Sequence, residues 1–283
     1  MKSCLAYTAN SHPTSRKSYW APASVAALAA LLFCMASSSG HAAYTIPSSG
    51  LVGWWQGNGN PNDSADSHSG TAIGVSYVPG VFGQAFSFVP PRTRVTIPDS
   101  TAFELTSLSI QGWIYPRGTG GIIFFRGDNR VGLDPYNLNF NDSSHPTDIN
   151  FSLQNSSGGV VTLRAGVQLN QWQHVAGTFD NNTDEMRLYV NGSLASQTST
   201  TLTPLTVLDP GFDPGIGIGN TQGTQYDFNF NGYVDEISLY SRALSSSEIQ
   251  AIVSQVPEPG SAALVSLGLI GALLRLRRRS AVR

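Results

Sequence analysis

Paired carboxylates are the side chains most able to do chemistry in this sequence of 283 residues. Cleavage of a glycosidic bond needs two carboxyl groups ~5–9 Å apart, and on a strand residues i and i+2 lie on one face. Between residues 43 and 255 no Asp or Glu lies two positions from another, and the adjacent pairs are Asp184-Glu185 and Asp235-Glu236. Alternation predicts that the carboxylates of each pair point away from each other. We therefore predict no catalytic residues, with carboxylates brought together from different strands as the alternative.

Other catalytic and cofactor-binding patterns are missing from the same segment of the sequence. Residues 43–255 contain no Cys, which excludes thiol catalysis and Cys-ligated zinc. His68, His145 and His174 are far apart and lack metal-ligand spacing, so His174 is interpreted as a packed framework residue. The glycine-rich run at 215–219 has no helix after it that would direct an N-terminus at a phosphate. We predict no cofactor-binding residues.

The charges divide the chain into three segments. Residues 1–42 hold Lys2, Arg16 and Lys17, residues 43–255 hold 17 acidic residues against 8 Arg, and residues 256–283 hold five Arg and Glu258. The formal net charge of −2 thus conceals an acidic middle between two basic, apolar ends. An acidic middle argues against nucleic acid as a partner.

The N-terminal segment has the order of parts found in a secretory signal peptide. Arg16 and Lys17 precede an apolar run at 21–36, and small residues follow at 37–43. Gly40 and Ala42 supply the small residues that cleavage requires, so we predict a signal peptide at 1–42. The alternative is an N-terminal membrane anchor, although the run is shorter than the ~20 residues that span a bilayer.

The C-terminal segment, residues 256–283, combines a short motif, an apolar stretch and a basic cluster. Pro257-Glu258-Pro259 is followed by an apolar stretch at 261–274 and then by Arg275, Arg277, Arg278 and Arg279. An apolar helix with Arg after it inserts across a bilayer and keeps its charges on the cytoplasmic side. A plain C-terminal membrane anchor would show the same hydrophobicity and is the alternative.

The order of these three parts resembles the PEP-CTERM sorting signal of exported Gram-negative bacterial proteins. The resemblance implies passage through the secretion translocon, transient insertion of a transmembrane helix in the inner membrane, and processing by an exosortase-type membrane protease. It places the protein on the outer cell surface or in the extracellular matrix, with the unprocessed form anchored in the inner membrane.

The middle segment, residues 43–255, consists of short β-rich runs separated by Gly, Pro, Asn and Asp, which predicts an all-β sandwich. The predicted strands are 51–55, 84–88, 94–97, 108–115, 121–125, 149–153, 160–163, 174–179, 185–190 and 232–240. Asn191-Gly192 predicts a two-residue hairpin that returns along 193–197. One short helix is predicted near the end, because Ser245 and Glu248 form a capping box and Leu244 with Ile249 forms a hydrophobic staple.

Seven motifs between about residues 50 and 253 resemble, in order, the concanavalin A-like, laminin-G-like (LamG) jelly-roll domains. They are the runs at 50–55, 66–71, 80–88, 108–114 and 172–180, the hairpin at 188–192, and a last motif at 217–220 that leads into 231–245. The resemblance implies an antiparallel two-sheet jelly-roll sandwich at 43–255 with a short C-terminal helix. It implies much less about a ligand, because one fold hosts many functions.

Three carboxylates are predicted metal ligands. Asp235 is predicted to share the core face with Ile237 and Leu239, where an unpaired carboxylate is costly. Two interpretations are open: Asp235 accepts backbone N–H bonds at a strand end, or it helps hold Ca²⁺, which takes ~6–8 oxygen ligands. The resemblance implies a structural Ca²⁺ near an early loop Asp, here Asp66 with Asp63 just before it, although the loop to Gly70 is shortened.

Aromatic side chains outside the framework motifs are the predicted sugar platforms. Trp54, Trp55, Trp113 and Trp172 all lie within framework motifs and are expected in the core or against a sheet. The candidates in irregular segments are Tyr77, Tyr136, Tyr226 and Phe228.

The predicted function is an exported, non-catalytic module that binds a carbohydrate or another envelope component at the bacterial surface or in the matrix. The alternatives are a glycan hydrolase or lyase of the concanavalin A-like glucanase superfamily, and a structural matrix protein that self-associates.

Overall fold

The structure, a computed structural model, describes residues 44–130, 132–140, 144–223 and 227–256. The predicted signal peptide at 1–42 and the sorting residues from Pro257 to Arg279 lie outside these ranges. Within them the protein is a sandwich of two antiparallel sheets with one short helix. None of the helices in the described part of the chain is both long and apolar enough to span a membrane.

The first sheet has eight strands. They are β1 (Leu51–Trp55), β3 (Ser76–Pro79), β4 (Gln84–Phe88), β6 (Leu108–Pro116), β11 (Gln173–Asp180), β12 (Glu185–Val190), β13 (Ser193–Ser199) and β15 (Gly232–Tyr240). The order across the sheet is β13-β12-β11-β6-β15-β4-β3, and β1 pairs with the second half of β15. Strand β15 is therefore central, between β6 on one side and β4 and β1 on the other.

The second sheet has seven strands. They are β2 (Thr71–Ile73), β5 (Arg94–Pro98), β7 (Gly121–Gly127), β8 (Tyr136–Phe140), β9 (Asp148–Gln154), β10 (Val160–Gly166) and β14 (Gly215–Ile218). Their order is β10-β9-β8-β7-β14-β5-β2. Every predicted strand is present. The short strands β2 and β3 and the Asn-rich strand β8 were not predicted, and β14 lies in the glycine-rich run at 215–219.

Alternating side chains build the core between the sheets. In β12, Met186 and Leu188 are fully buried in the core, while Arg187 points to the other face, as the alternation predicts. Phe151 of β9 packs against Gly177 of β11, where a Cβ would lie 2.4 Å from the Phe151 ring. Only glycine allows the two sheets to approach so closely at this point. Burial of such an aromatic side chain contributes about 1.5–3 kcal/mol.

A second apolar cluster covers the outer face of the eight-stranded sheet. The helix α1 (Ser246–Val253) buries Ile249 and Ile252 against Tyr189 and Tyr240. The predicted capping box is present, since Ser245 and Glu248 exchange hydrogen bonds of 3.3 and 2.8 Å. The N-terminal residues Tyr44 and Ile46 pack against the same cluster, so this face of the sandwich is closed to ligands where they lie.

The hairpin between β12 and β13 has the predicted turn. Asn191 and Gly192 have φ values of 49° and 77°, as a two-residue turn of this type requires. The return strand continues to Ser199, two residues beyond the predicted end.

Candidate functional site

A cleft lies on the outer face of the seven-stranded sheet, away from the core. Its volume is about 180 Å³, below the ~300–1,000 Å³ of typical pockets for drug-sized ligands. A space of this size admits one small ring or a short stretch of chain. Its lining comes from β7, β8 and the loops beside them: Gly121, Ile122, Phe125, Asp128, Asn129, Arg130, Gly132, Asp134, Asn137, Asn139, Phe140, Thr221, Gln222 and Phe228.

Strand β8 supplies the floor of the cleft. In its sequence Tyr-Asn-Leu-Asn-Phe, Tyr136 and Leu138 are fully buried in the core. Alternation then directs Asn137 and Asn139 to the outer face, where both line the cleft. Phe125 of β7 is paired with Asn137 and adds an aromatic surface beside the two amides.

The amides of the floor are held in fixed orientations. Asn139 donates from Nδ2 to Asn137 Oδ1 (2.5 Å), and Asn150 of β9 donates from Nδ2 to Asn139 Oδ1 (3.2 Å). Asn150 Oδ1 is buried without a partner among the described residues. A chain of side-chain amides across two strands offers directional polar groups without adding net charge.

One wall of the cleft carries an ion pair. Arg130 holds both Asp128 oxygens through Nε and Nη2, at 2.5 to 3.1 Å, and its backbone N–H donates to Asp128 Oδ1 (2.9 Å). The guanidinium also lies 4.9 Å from the centre of the Phe212 ring, a cation–π distance. The hydrogen bond to Asp128 raises the pKa of Arg130, and the formal charges of the two side chains cancel.

Asp134 lies in the same wall without a compensating cation. Its backbone N–H donates to Gln154 Oε1 (2.7 Å), which fixes the loop. Among residues 44–256 that the structure describes, no hydrogen-bond donor contacts its carboxylate. Burial, and then the nearby negative charge of Asp128, raises the pKa of Asp134 to about 6.

The opposite wall is organised by a buried asparagine. Asn220 Oδ1 accepts from the backbone N–H groups of Thr221 (2.9 Å) and Phe228 (2.8 Å), and its Nδ2 donates to Asp227 (2.7 Å) and Asn229 (3.1 Å). These bonds tie together the two ends of the loop that carries Phe228. The Phe228 ring is 47% exposed, which leaves an aromatic face available at the rim.

Of the four predicted aromatic platforms, the structure places one at the cleft. Phe228 lies at the cleft, whereas Tyr136 belongs to β8 and is fully buried, with its hydroxyl donating to Phe103 O (2.9 Å). The prediction of an accessible platform at Tyr136 was therefore wrong. Tyr77 is half-buried in β3 with its ring 5.8 Å from that of Phe86, outside the cleft lining. Tyr226 lies outside the described residues.

The adjacent carboxylates Asp235 and Glu236 do not point to opposite faces. Glu236 has φ 54°, and the register between β15 and β6 shifts between Asp235 and Ser238. This β-bulge reverses the alternation, so Asp235 leaves the core face that Ile237 and Leu239 occupy. Asp235 Oδ2 accepts from the backbone N–H groups of Val81 (2.7 Å) and Phe82 (3.0 Å), and Glu236 Oε2 accepts from Trp54 Nε1 (2.5 Å).

This acid pair is enclosed within the protein. Asp235 is 0% and Glu236 is 1% exposed. Burial is the main cause that raises the pKa of Asp235 to about 7 and, with the charge of Asp235, that of Glu236 to about 8. His174 lies nearby, fully buried, and its Nε2 is 2.6 Å from Gln111 Oε1, as expected of a framework residue. Burial lowers the pKa of His174 to about 3.

Comparison with known families assigns most of this sandwich. Residues 92–250, more than half of the chain, match the Concanavalin A-like lectin/glucanases superfamily in its laminin G form. The chain belongs to this superfamily. A second match, at residues 255–279, is the PEP-CTERM protein-sorting motif, which implies export and membrane-associated sorting with exosortase processing. No curated protein matches the sequence.

Solved structures of this superfamily fold resemble the protein at low sequence identity. Domain 4 of AbnA, a GH43 extracellular arabinanase from Geobacillus stearothermophilus in complex with arabinotriose, is 20% identical with a TM-score of 0.56, covering 72% of this chain and 98% of that domain. The binding domain of Paraclostridial Mosquitocidal Protein 1 is 15% identical with a TM-score of 0.56 and coverages of 72% and 52%. The binding domain of Botulinum Neurotoxin DC in complex with SialylT is 16% identical, with a TM-score of 0.55 and coverages of 75% and 52%. The chain spans about half the length of the two toxin domains, and these likenesses show the fold.

The calcium expectation for the superfamily fold concerns Asp63, Asp66 and Asp235. Asp63 is hydrogen-bonded to three backbone N–H groups, of Trp54 (2.8 Å), Ala65 (2.9 Å) and His68 (3.2 Å), whereas Asp66 is exposed. The described ranges contain no group of three or more His, Cys, Asp or Glu that could hold a metal ion. Calcium binding at Asp63, Asp66 and Asp235 therefore stays a prediction.

Proposed function

We propose that this protein is an exported, non-catalytic carbohydrate-binding module and that the cleft over β7 and β8 is its glycan site. The observation that carries the proposal is the composition of the cleft. Two oriented amides, Asn137 and Asn139, line the same cleft as the aromatic rings of Phe125 and Phe228. A sugar ring has an apolar face that packs on aromatic carbon and hydroxyl groups that need directional polar partners.

The comparisons support a binding role without naming the ligand. Domain 4 of the arabinanase is a separate domain solved with arabinotriose, and the toxin domains are described as binding domains. For this chain we propose a glycan or exopolysaccharide as the partner. The sorting motif supports a location on the outer surface or in the extracellular matrix of a Gram-negative bacterium. The signal peptide, the secretion translocon and inner-membrane anchoring before processing complete the proposed route.

The arrangement of carboxylates supports binding rather than cleavage. Asp235 and Glu236 are buried away from any ligand, since both are at most 1% exposed. In the cleft, both oxygens of Asp128 are occupied by Arg130, so Asp128 is a poor nucleophile or base. One observation favours hydrolysis as a second candidate: the raised pKa of Asp134, about 6, is in the range of a general acid. Asp134 lacks a free carboxylate partner among the described lining residues, so we propose no catalytic role for it.

The test is binding of the full chain, purified in detergent, to a panel of neutral and acidic oligosaccharides. Phe228→Ala should weaken binding of any bound member about tenfold, because the exposed ring loses its stacking surface. Leu194→Ala is the matched control, since Leu194 is 48% exposed on edge strand β13 of the other sheet. If no oligosaccharide of the panel binds, or if both variants lose the same amount of affinity, the proposal is overturned. Release of reducing ends that Asp134→Asn abolishes would establish the hydrolase instead.

A further inference from the structure

The charges in the cleft carry an inference about which glycans enter it. The described lining contains two carboxylates, Asp128 and Asp134, against one guanidinium, Arg130. Because Arg130 is paired with Asp128 through Nε and Nη2, the remaining formal charge of the described lining belongs to Asp134. Resting on the proposed function, we infer that the cleft selects neutral glycan chains and excludes uronate and other anionic polysaccharides, with Asp134 as the residue that discriminates.

Attraction for a neutral sugar comes from the Asp134 carboxylate, whose hydrogen-bonding capacity the described residues leave unused. The Asp134 carboxylate accepts no hydrogen bond from described residues, and it lines a cleft whose floor amides are already partly paired with each other. A carboxylate is an acceptor only, with two oxygens that can receive two hydroxyl groups. Adjacent hydroxyls of a neutral sugar supply such donors, and hydrogen bonds to an ionised acceptor are the stronger kind.

Repulsion of an anionic sugar follows from the same charge. A uronate carboxylate in this small cleft would lie within several ångströms of Asp134, in a space that is also lined by Phe125 and Phe140. Like charges at such distances repel strongly when the effective dielectric is low. The guanidinium of Arg130 does not cancel this repulsion, because its charge is already offset by Asp128, which binds its Nε and Nη2. Specificity of this kind combines a good contact for one ligand with a penalty for its competitor.

The middle segment that carries the cleft is acidic overall. Between residues 43 and 255 the sequence holds 17 acidic residues against 8 Arg and no Lys. Arg94 of β5 and Arg126 of β7 are two buried arginines of the seven-stranded sheet. They form ion pairs with Asp227 and Asp99, respectively. Arg164 of β10 is exposed and lies opposite Asn150 in the strand register, beyond the lining of the cleft, so the selection depends on Asp134 within the cleft.

The experiment uses oligosaccharide pairs, each an oligouronate and its carboxyl-reduced neutral counterpart, titrated into the full chain in detergent at pH 7.5 and low salt. We expect a neutral member to bind at least about tenfold more tightly than its acidic partner. Asp134→Asn should close most of this gap, and added salt should narrow it in the wild type. Glu185→Gln, which removes an exposed charge from the other sheet, is the matched control and should leave the gap unchanged.

Each result decides between the two proposals. Binding of an oligouronate equal to or tighter than its neutral counterpart would overturn the selectivity and leave glycan binding intact. A gap that persists in Asp134→Asn would also overturn it, since the discriminating charge would lie elsewhere. Failure to bind any member of any pair would overturn the proposed function, and the selectivity with it.

Discussion

Asp235 and Glu236 are consecutive residues whose carboxyl groups are both buried on the outer side of the eight-stranded sheet, beneath Trp54 and Phe82. The bulge at Glu236, with φ 54°, makes this possible, because it inserts one residue and reverses the side-chain alternation. Two acids placed together out of water favour their protonated forms. Their pKa values are raised to about 7 and about 8, so the folded state retains protons that the unfolded state has lost.

The acid pair makes folding stability fall as the pH rises. Each raised pKa contributes stability that is present at low pH and is lost as the pH passes the folded value. From pH 7 to pH 9, Glu236 alone should cost about 1 kcal/mol of unfolding free energy. Glu236→Gln keeps an acceptor for Trp54 Nε1 and removes the titration, so its stability should be nearly constant over this range. Urea unfolding followed by tryptophan fluorescence measures both proteins.

The measurement should be made between pH 7 and pH 9, because His174 changes folding stability with pH in the opposite direction to the acid pair. Its pKa is lowered to about 3, so its contribution is full above the unfolded value of about 6.5 and is lost as the pH falls. Above pH 7 neither state of His174 titrates substantially, and Tyr44, also beside the pair, has a pKa raised well above its ordinary value. Parallel pH profiles for wild type and Glu236→Gln would show that Glu236 is ionised in the folded protein.

Asp235 should matter as a hydrogen-bond acceptor rather than as a charge. Asp235→Ala leaves the N–H groups of Val81 and Phe82 without their acceptor and should cost about 2–4 kcal/mol. Asp235→Asn should be close to wild type at pH 7, because one oxygen, Oδ2, accepts both bonds and the other has no described partner. Chemical denaturation compares the three proteins, and equal losses in Ala and Asn would mean that the charge itself is required.

The fold was predictable because its signals are local. Asn191-Gly192 dictates a turn with two positive φ values, and the Ser245–Glu248 capping box starts the helix, as the structure confirms. Strand β8 was missed although Tyr136-Asn-Leu-Asn-Phe140 alternates perfectly. Asn was interpreted as a turn residue, whereas here it is the polar half of a half-buried strand. Attention to alternation at 136–140 would have found the floor of the cleft.

The candidate site was less predictable because its parts are distant in the sequence. Asp134 and Phe228 face one cleft only because β7, β8 and β14 are neighbours in the sheet. The alternation of apolar and polar residues did not predict the positive φ of Glu236. The β-bulge at this position depends on pairing with β6 and not on local propensity. Phe228 was found by its aromatic type in an irregular segment, and Asp134 had no local signal.

Asn220 should couple the stability of the cleft wall to binding. Asn220→Ala removes the acceptor for the backbone N–H groups of Thr221 and Phe228. The free energy of unfolding should fall by about 1–3 kcal/mol. Glycan binding should also weaken, because the loop that carries Phe228 is no longer held by these hydrogen bonds. Phe228→Ala should weaken binding while leaving stability within about 0.5 kcal/mol of wild type, because the ring is 47% exposed. Thermal unfolding and titration on the same samples separate the two effects. Unchanged glycan binding in Asn220→Ala would mean that this wall of the cleft does not contribute to binding.

Binding of a neutral glycan should weaken as the pH falls through about 6. Burial and Asp128 raise the pKa of Asp134 to about 6, and the protonated carboxyl is a weaker acceptor for ligand hydroxyls than the ionised one. Asp134 is the described lining group whose pKa is raised into this range. We expect the dissociation constant to rise about three- to tenfold from pH 7.5 to pH 5. Calorimetry should find Asp134→Asn flat over this range, and an equally flat wild type would mean that the glycan does not contact Asp134.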